Sequence, residues 1–339
     1  MPTRPLVVNV DCNFTYDLER TQIEAAGGEL VLRRARTQDE LVAACADATV
    51  AVLENADTPF TARVISQLPA CRAIVRYGVG IESVDQGEAT RRGIVVANAA
   101  DFCTEEVSDH AVALLLASVR RIAFLDRWVR AGHWHDFKLS VPLRRTRCLT
   151  LGLVGWGRIA QAVARKMSGF NMRIVASDPF VHSIPAGAGV ELLPIERLLQ
   201  ESDLISLHVP LNADTKHFIG EKFIGLMKPT AFLVNTSRGG VVDQAALVRA
   251  LDEKRLGGAA LDVFEEEPLP ATSPLRKMEQ VTLTPHYAAS SLDSMDHLHH
   301  TVADSVEAIL RGYWPPFPVN ASVVPRLPLR PWAEFHAGS

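Results

Sequence analysis

The apolar run Leu151-Gly152-Leu153-Val154 passes without a break into Gly155-Trp156-Gly157-Arg158-Ile159-Ala160, and this join constrains the fold more than any other stretch. A strand that turns on glycine straight into a helix, with Ile159, Val163 and Met167 at helical spacing behind it, is the strand, turn, helix unit of a nucleotide-binding α/β layer. Gly155 allows the tight turn, Gly157 lets the backbone approach a pyrophosphate, and Ala160 takes the helix-packing place of a third glycine. The next strand leads to Asp178, 18 residues beyond Ala160, where a carboxylate accepts from ribose hydroxyls and repels a 2'-phosphate. NAD is favoured over NADP, because Pro179-Phe180 bring no arginine to offset that charge.

The rest of the chain alternates in the same manner. Short β-branched runs at 6–10, 30–32, 50–53, 73–75 and 93–96 are separated by helical patterns, the signature of βαβ units in a parallel sheet. After a break at 97–101, Thr104 reads as the N-cap of a helix whose first turn holds Glu105 and Glu106. From Cys148 a second alternation begins, with six strands expected at 150–154, 173–176, 204–209, 232–235, 259–263 and 281–284. The fold class is therefore α/β, with two doubly wound, Rossmann-like or flavodoxin-like parallel sheets and a cleft expected between them. The length of 339 residues accommodates two domains. The first is expected to be discontinuous, residues 1–98 with 290–322; the nucleotide domain spans 99–289, and 323–339 forms an irregular, proline-rich tail.

Composition removes several classes of function. Lys and Arg number 35 against 39 Asp and Glu, so no net basic field exists to hold a nucleic acid. The longest apolar run, 111–119, is far shorter than the ~20 residues of a membrane span. The five cysteines (Cys12, Cys45, Cys71, Cys103, Cys148) form no CxxC pair, as expected of reduced thiols in a cytoplasmic protein. Asp296 and His300 share a helix face, but no third ligand segment accompanies them, so no metal is expected. Arg144, Arg145 and Arg147 read as a solvated loop rather than a phosphate site.

Three segments at the ends of later strands carry the reactive side chains: Asn235-Thr236-Ser237-Arg238-Gly239-Gly240, Asp262 through Glu267, and Thr284-Pro285-His286. Hydride transfer to a 2-oxo acid needs a guanidinium for the carboxylate and an acid for the carbonyl oxygen. Arg238 supplies the first and His286 the second, and Glu267 is the carboxylate chosen to orient the imidazole. Singly, each has a bland reading, a solvated charge, one more acid in a run, or a loop histidine; together behind a dinucleotide turn they form an acid/base set.

These residues, with Arg76-Tyr77-Gly78-Val79-Gly80-Ile81-Glu82-Ser83-Val84-Asp85 and Leu207-His208-Val209-Pro210-Leu211 followed by Thr215, resemble the D-isomer-specific 2-hydroxyacid dehydrogenase family from about Val50 to Asn320. Within it, Glu105 to His110 and Arg120-Arg121 are most similar to the branch of the C-terminal-binding proteins and phosphoglycerate-dehydrogenase-like enzymes. The resemblance implies substrate binding by Arg238, acid/base catalysis by His286 and pairing by Glu267, and it adds Arg76, Tyr77 and the amides of Val79 and Gly80 around the substrate. It implies NAD contacts from Val107, Trp156, Arg158, Ile159, His208, Val209, Pro210, Thr215, Thr236, Ser237, Ala288 and Ala289, with Asp262 on the nicotinamide carboxamide. A homodimer built on the helix from Thr104 and the arm after it, which carries Trp128 and Trp134, is also implied.

Two positions bear on substrate choice. Ala289 stands where relatives in that branch often carry a large aromatic, which opens the pocket, and Asp57 is expected to line the cleft and disfavour phosphorylated acids. The expected activity is an NAD-dependent interconversion of a 2-oxo acid and a D-2-hydroxy acid. The alternative is an NAD(H)-responsive, corepressor-like binding protein with vestigial catalysis, a scaffold that has no physical need of an acid/base pair.

Overall fold

The computed structural model describes residues 4–11, 13–54, 58–134 and 143–335. They fall into two compact units, one of residues 1–102 with 291–339 and one of residues 103–290.

In the first unit β1 (Leu6–Val10), α1 (Asp17–Ala25), β2 (Glu29–Arg33), α2 (Gln38–Cys45), β3 (Val50–Leu53), α3 (Ala62–Ile65), β4 (Ala73–Arg76), α4 (Gln86–Arg91) and β5 (Val95–Asn98) follow one another. The strands pair in parallel in the order β2-β1-β3-β4-β5. All of β3 and β5 is buried, as expected of a parallel sheet covered on both faces, which is why these segments read as unbroken apolar runs. Polar residues start the helices: Thr37 accepts from the Glu40 amide at 3.2 Å and Asp85 from that of Glu88 at 2.8 Å. The last long helix, Leu292–Leu310, belongs to this unit. The proline-rich segment after it is irregular yet pinned to the free edge of β5. Asn320 accepts from the Val96 amide at 2.8 Å and donates to the Ile94 carbonyl at 3.0 Å, so the exposed ladder is covered.

The second unit begins with α5 (Thr104–Arg120) and α6 (Ile122–Arg130) and continues through β6 (Thr150–Val154), α7 (Arg158–Met167), β7 (Arg173–Ser177), β8 (Val190–Leu192), α8 (Ile195–Glu201), β9 (Leu204–Leu207), α9 (Glu221–Ile224), β10 (Phe232–Asn235), α10 (Gln244–Asp252), β11 (Gly258–Leu261) and β12 (Val281–Leu283); the Leu292–Leu310 helix is thus α11. Its parallel strands run β12-β11-β10-β9-β6-β7-β8. Alternate residues of β6 serve two cores: Leu151 and Leu153 pack with Ala111, Leu115, Ala160 and Val163, while Val154 packs with Leu198, Ile205 and Leu233. The strand order reverses between β6 and β9, which leaves a crevice at their carboxyl ends where α/β sheets take ligands.

Three expectations are corrected. The sheet has seven strands rather than six, because the short edge strand β8, only Val-Glu-Leu, carries too little apolar signal to separate from a loop. The N-cap of α5 is Cys103, without a side-chain cap bond, and Thr104 is the first helical residue. The strand expected at 204–209 stops at Leu207, which releases His208, Val209 and Pro210 into the rim loop. No helix among the described residues is long and apolar enough to cross a membrane. Among those residues no group of three or more His, Cys, Asp or Glu side chains is arranged for a metal, and His300 lies 3.9 Å from Asp296. Arg144 is exposed in its loop, and its guanidinium meets the buried Asp203 carboxylate at 2.9 Å.

Candidate active site

The glycine turn lies at the crevice of the second sheet. Gly155 has φ +90°, and a Cβ there would lie 2.9 Å from the His208 carbonyl, so conformation and space both call for glycine. A Cβ on Gly157, at the start of α7, would meet nothing within 4 Å, which leaves the helix N-terminus open to an approaching anion. Asp178, just past β7, accepts from the Trp156 amide at 2.8 Å and from the Phe180 amide at 2.9 Å, so its carboxylate is set against the turn. Trp156 itself is buried with its ring in the core, and only its backbone faces the turn side.

Two polar atoms around the crevice are shielded and without a hydrogen-bond partner among the described residues, Nε2 of His208 after β9 and Oγ1 of Thr236 after β10. Burial lowers the His208 pKa to about 4, so its ring is neutral. Open space over a helix N-terminus, an oriented carboxylate and orphaned polar atoms suit a dinucleotide. Val209 and Pro210 follow β9, and the turn after them is closed by Thr215, whose Oγ1 donates to the Pro210 carbonyl at 2.6 Å. Val107 is buried in the first turn of α5, Arg158 and Ile159 open α7, and Ser237, Ala288 and Ala289 lie on loops after β10 and β12.

The acid/base set converges. Nδ1 of His286 lies 2.6 Å from Oε2 of Glu267, and the other Glu267 oxygen accepts from the Phe264 amide at 2.8 Å. Burial pushes the Glu267 pKa up. The hydrogen bond from His286, the Phe264 amide and the charges of His286 and Arg238 outweigh that push, and the net direction is down. Arg238, Glu267 and His286 line one cavity of about 590 Å³ with Leu211, Lys216, His217, Gly239, Gly240, Phe264 and Glu265.

Several supports of this set were not legible in the sequence. Asn235 holds the Arg238 turn, its Oδ1 accepting from the Ser237 amide at 3.0 Å and its Nδ2 donating to the Arg238 carbonyl at 2.9 Å; an Asn at a strand end before Ser was the available signal. A Cβ on Gly239 would fall 1.9 Å from the Phe264 carbonyl, so glycine alone lets the Arg238 and Glu267 loops touch. His217 pairs with Glu265 at 2.8 Å on the same cavity wall.

His286 has φ +54°, left-handed for a non-glycine residue, at a cost of order 1–3 kcal/mol. Asp262, fully buried, holds that loop: its carbonyl accepts from the His286 amide at 2.7 Å, and its carboxylate accepts from Tyr287 at 2.9 Å, Ala288 at 3.0 Å and the Thr284 hydroxyl at 2.6 Å. Bonds to a charged acceptor contribute about 1.5–3 kcal/mol each, enough to offset the strain. His110 of α5 closes the network on Thr284 at 3.0 Å. What Asp262 visibly holds is therefore the histidine loop.

The remaining expected substrate residues lie in the first unit, at the end of β4 and in the turn after it. Nη1 of Arg76 donates to carbonyls, Leu53 at 3.2 Å, Glu54 at 2.6 Å and Tyr77 at 2.5 Å, which braces the end of β4. Tyr77 is 4% exposed with its hydroxyl bonded to Glu19 and His299, so its phenol turns into the unit. Val79 is exposed, and its carbonyl is held by Asn98 Nδ2 at 2.7 Å. Asp57, Cys12 and the part of the arm beyond Trp134 lie outside the described residues.

A glycine turn at a sheet reversal, an acid beyond the second strand and a histidine paired with a carboxylate define a dinucleotide-dependent α/β oxidoreductase. Residues 112–288 match the model of the D-isomer specific 2-hydroxyacid dehydrogenase NAD-binding domain. The chain is 46% identical over 283 residues to the glyoxylate reductase of Korarchaeum cryptofilum, covering 82% of this chain and 84% of that one. The crystal structure of a glyoxylate reductase from Paecilomyes thermophila superposes with a TM-score of 0.84 at 26% identity, covering 94% and 99% of the two chains. That of D-lactate dehydrogenase from Aquifex aeolicus, complexed with NAD and lactic acid, gives 0.78 at 27% identity over 90% and 96%. The chain belongs to the D-isomer specific 2-hydroxyacid dehydrogenase family, and it is an NAD-dependent oxidoreductase acting on D-2-hydroxy acids.

Proposed function

We propose that this dehydrogenase reduces a small 2-oxo acid, glyoxylate foremost, with Arg238 binding the substrate, His286 as acid/base and Glu267 as its partner. The 2.6 Å contact between Nδ1 of His286 and Glu267 carries the reading, because it fixes the tautomer and leaves Nε2 as the nitrogen that serves the substrate. NADH, when bound, supplies the hydride to the carbonyl carbon. His286 Nε2–H gives its proton to the carbonyl oxygen as that carbon is reduced, and Glu267 stabilises the imidazolium before transfer. The Arg238 guanidinium binds the substrate's oxygens through a fork of parallel donors. In the first unit the Val79 and Gly80 amides take the substrate carboxylate. In the oxidative direction His286 starts neutral and accepts the hydroxyl proton.

Relatives titled glyoxylate reductase support a short substrate side chain, and the small, half-buried Ala289 supports a pocket without an aromatic cover. The corepressor-like alternative finds no support in relatives titled as reductases and dehydrogenases. The test is NADH oxidation with glyoxylate, pyruvate, hydroxypyruvate and branched and aromatic 2-oxo acids. Turnover is expected to fall as the side chain grows; a flat panel without turnover overturns the reading.

Asp178 is proposed to hold the adenosine ribose hydroxyls. Asp178→Ser is expected to erode the preference for NADH over NADPH by about tenfold or more, since a like-charge repulsion of several kcal/mol is relieved. Comparison of kcat/KM with the two cofactors checks it, and an unchanged ratio would place the discrimination elsewhere.

A homodimer is supported by α6, in which no residue is buried and which exposes Ile122 at 55% and Val129 at 49%. The free thiols of Cys45, Cys71 and Cys148 support a reducing, cytoplasmic setting.

A further inference from the structure

The first unit contains a buried polar cluster that the proposed chemistry does not use. Tyr77, the residue after β4, bonds through its hydroxyl to Oε1 of Glu19 on α1 and to Nδ1 of His299 on α11. Those two partners also meet each other, Nδ1 to Oε1 at 2.6 Å. Glu19 is 3% exposed, and its Oε2 has no hydrogen-bond partner among the described residues. Phe14 and Tyr16 close the cluster, their rings 5.4 Å and 6.4 Å from that of His299.

The geometry limits where the protons lie. A lone pair on Nδ1 would face the carboxylate oxygen at 2.6 Å and repel it, so Nδ1 carries a proton and donates, and the phenol donates to Glu19. Burial, the Glu19 hydrogen bond and neighbouring negative charge all push the Tyr77 pKa upward, which keeps the phenol a neutral donor. Burying a carboxylate this deeply is costly for stability unless hydrogen bonds such as those from Tyr77 and His299 compensate it. An apolar residue at each position would pack with less penalty, so the cluster points to a requirement for a defined position of Tyr77.

That position governs the next turn of chain. The Tyr77 amide donates to the Leu53 carbonyl at 2.9 Å and Asn98 Nδ2 to the Val79 carbonyl at 2.7 Å, so residues 77–79 are held by their backbone and by one inward-pointing side chain. We infer that Glu19 and His299 are positioning residues for substrate binding: with Tyr77 they lock the Gly78–Gly80 turn so that its amides converge on the substrate carboxylate. The inference rests on the proposed role of those amides.

Three variants of the full-length enzyme separate the possibilities: Tyr77→Phe, His299→Leu and Asn98→Ala, each assayed with NADH and glyoxylate. Tyr77→Phe and His299→Leu are expected to raise the KM for glyoxylate roughly fivefold to tenfold, the size of a lost buried hydrogen bond, with kcat and the KM for NADH within twofold of wild type. His299→Gln, which keeps a donor near Nδ1, is expected to restore most of the KM. If Asn98→Ala raises the glyoxylate KM while Tyr77→Phe and His299→Leu leave it alone, the positioning role is overturned and the amide site stands. If none of the three alters KM, the amide site itself falls, and the inference with it. Equal losses of folded protein and of kcat in both cluster variants, without the KM shift, would make the cluster a stability element and also overturn the inference.

Discussion

Replacing His286 with alanine lowers kcat/KM for the 2-oxo acid by about a thousandfold, within the 10²–10⁴ range of general acid/base catalysis, while NADH binding followed by fluorescence survives. The loss falls on kcat, because the proton transfer belongs to the transition state. The variant also releases Glu267 from its 2.6 Å partner. In the wild type, burial raises the Glu267 pKa and the His286 hydrogen bond with its companions lowers it further than burial raises it. A carboxylate with a lowered folded-state pKa contributes stability that is present above its ordinary value of 4.5 and is lost as pH falls through the folded value. Without His286 that contribution shrinks, so the variant's melting temperature is expected to depend less steeply on pH on the acid side. A His286→Ala enzyme with near-normal kcat would remove the residue from the mechanism.

Exchanging Arg238 for lysine has the second largest effect. Lysine keeps the charge but not the planar fork, and its ammonium cannot both donate to the Ser237 carbonyl, which Nη1 reaches at 2.8 Å, and present two parallel donors to a substrate. Charge-assisted hydrogen bonds of about 1.5–3 kcal/mol translate into a loss of roughly a hundredfold in kcat/KM, most of it as a raised KM. An unchanged melting temperature of Arg238→Lys shows that the fold is intact and that the measurement reports on binding. A variant that retains full kcat/KM would place substrate recognition on another group.

The residues of this site differ in how openly the sequence declared them. Arg238, Glu267 and His286 each stand beside a strand end marked by apolar runs, and residue chemistry behind a dinucleotide turn was enough to choose them. Asn235 was visible only as a polar strand end, and the work of Asp262 on the His286 loop was hidden, because it depends on which amides reach its carboxylate once β11 and β12 are paired. The inward turn of the Tyr77 side chain was hidden for a related reason: a tyrosine beside a glycine turn looks available, and nothing local says that Glu19 and His299 draw its hydroxyl inward. The edge strand β8 escaped because three residues carry no usable period.

By itself the sequence determined the local units. Apolar strands, the glycine at position 155 and the carboxylate at 178 act within about thirty residues of one another, where backbone conformation and hydrophobic period are decided by the residues themselves. Only the tertiary structure decided which distant side chains share a proton. His286 meets Glu267 across 19 residues where the loops after β11 and β12 come together, and His299 meets Glu19 across 280 where α11 packs against α1. Strand order is settled by burying two faces of each sheet at once, a property of the whole core that no single segment encodes.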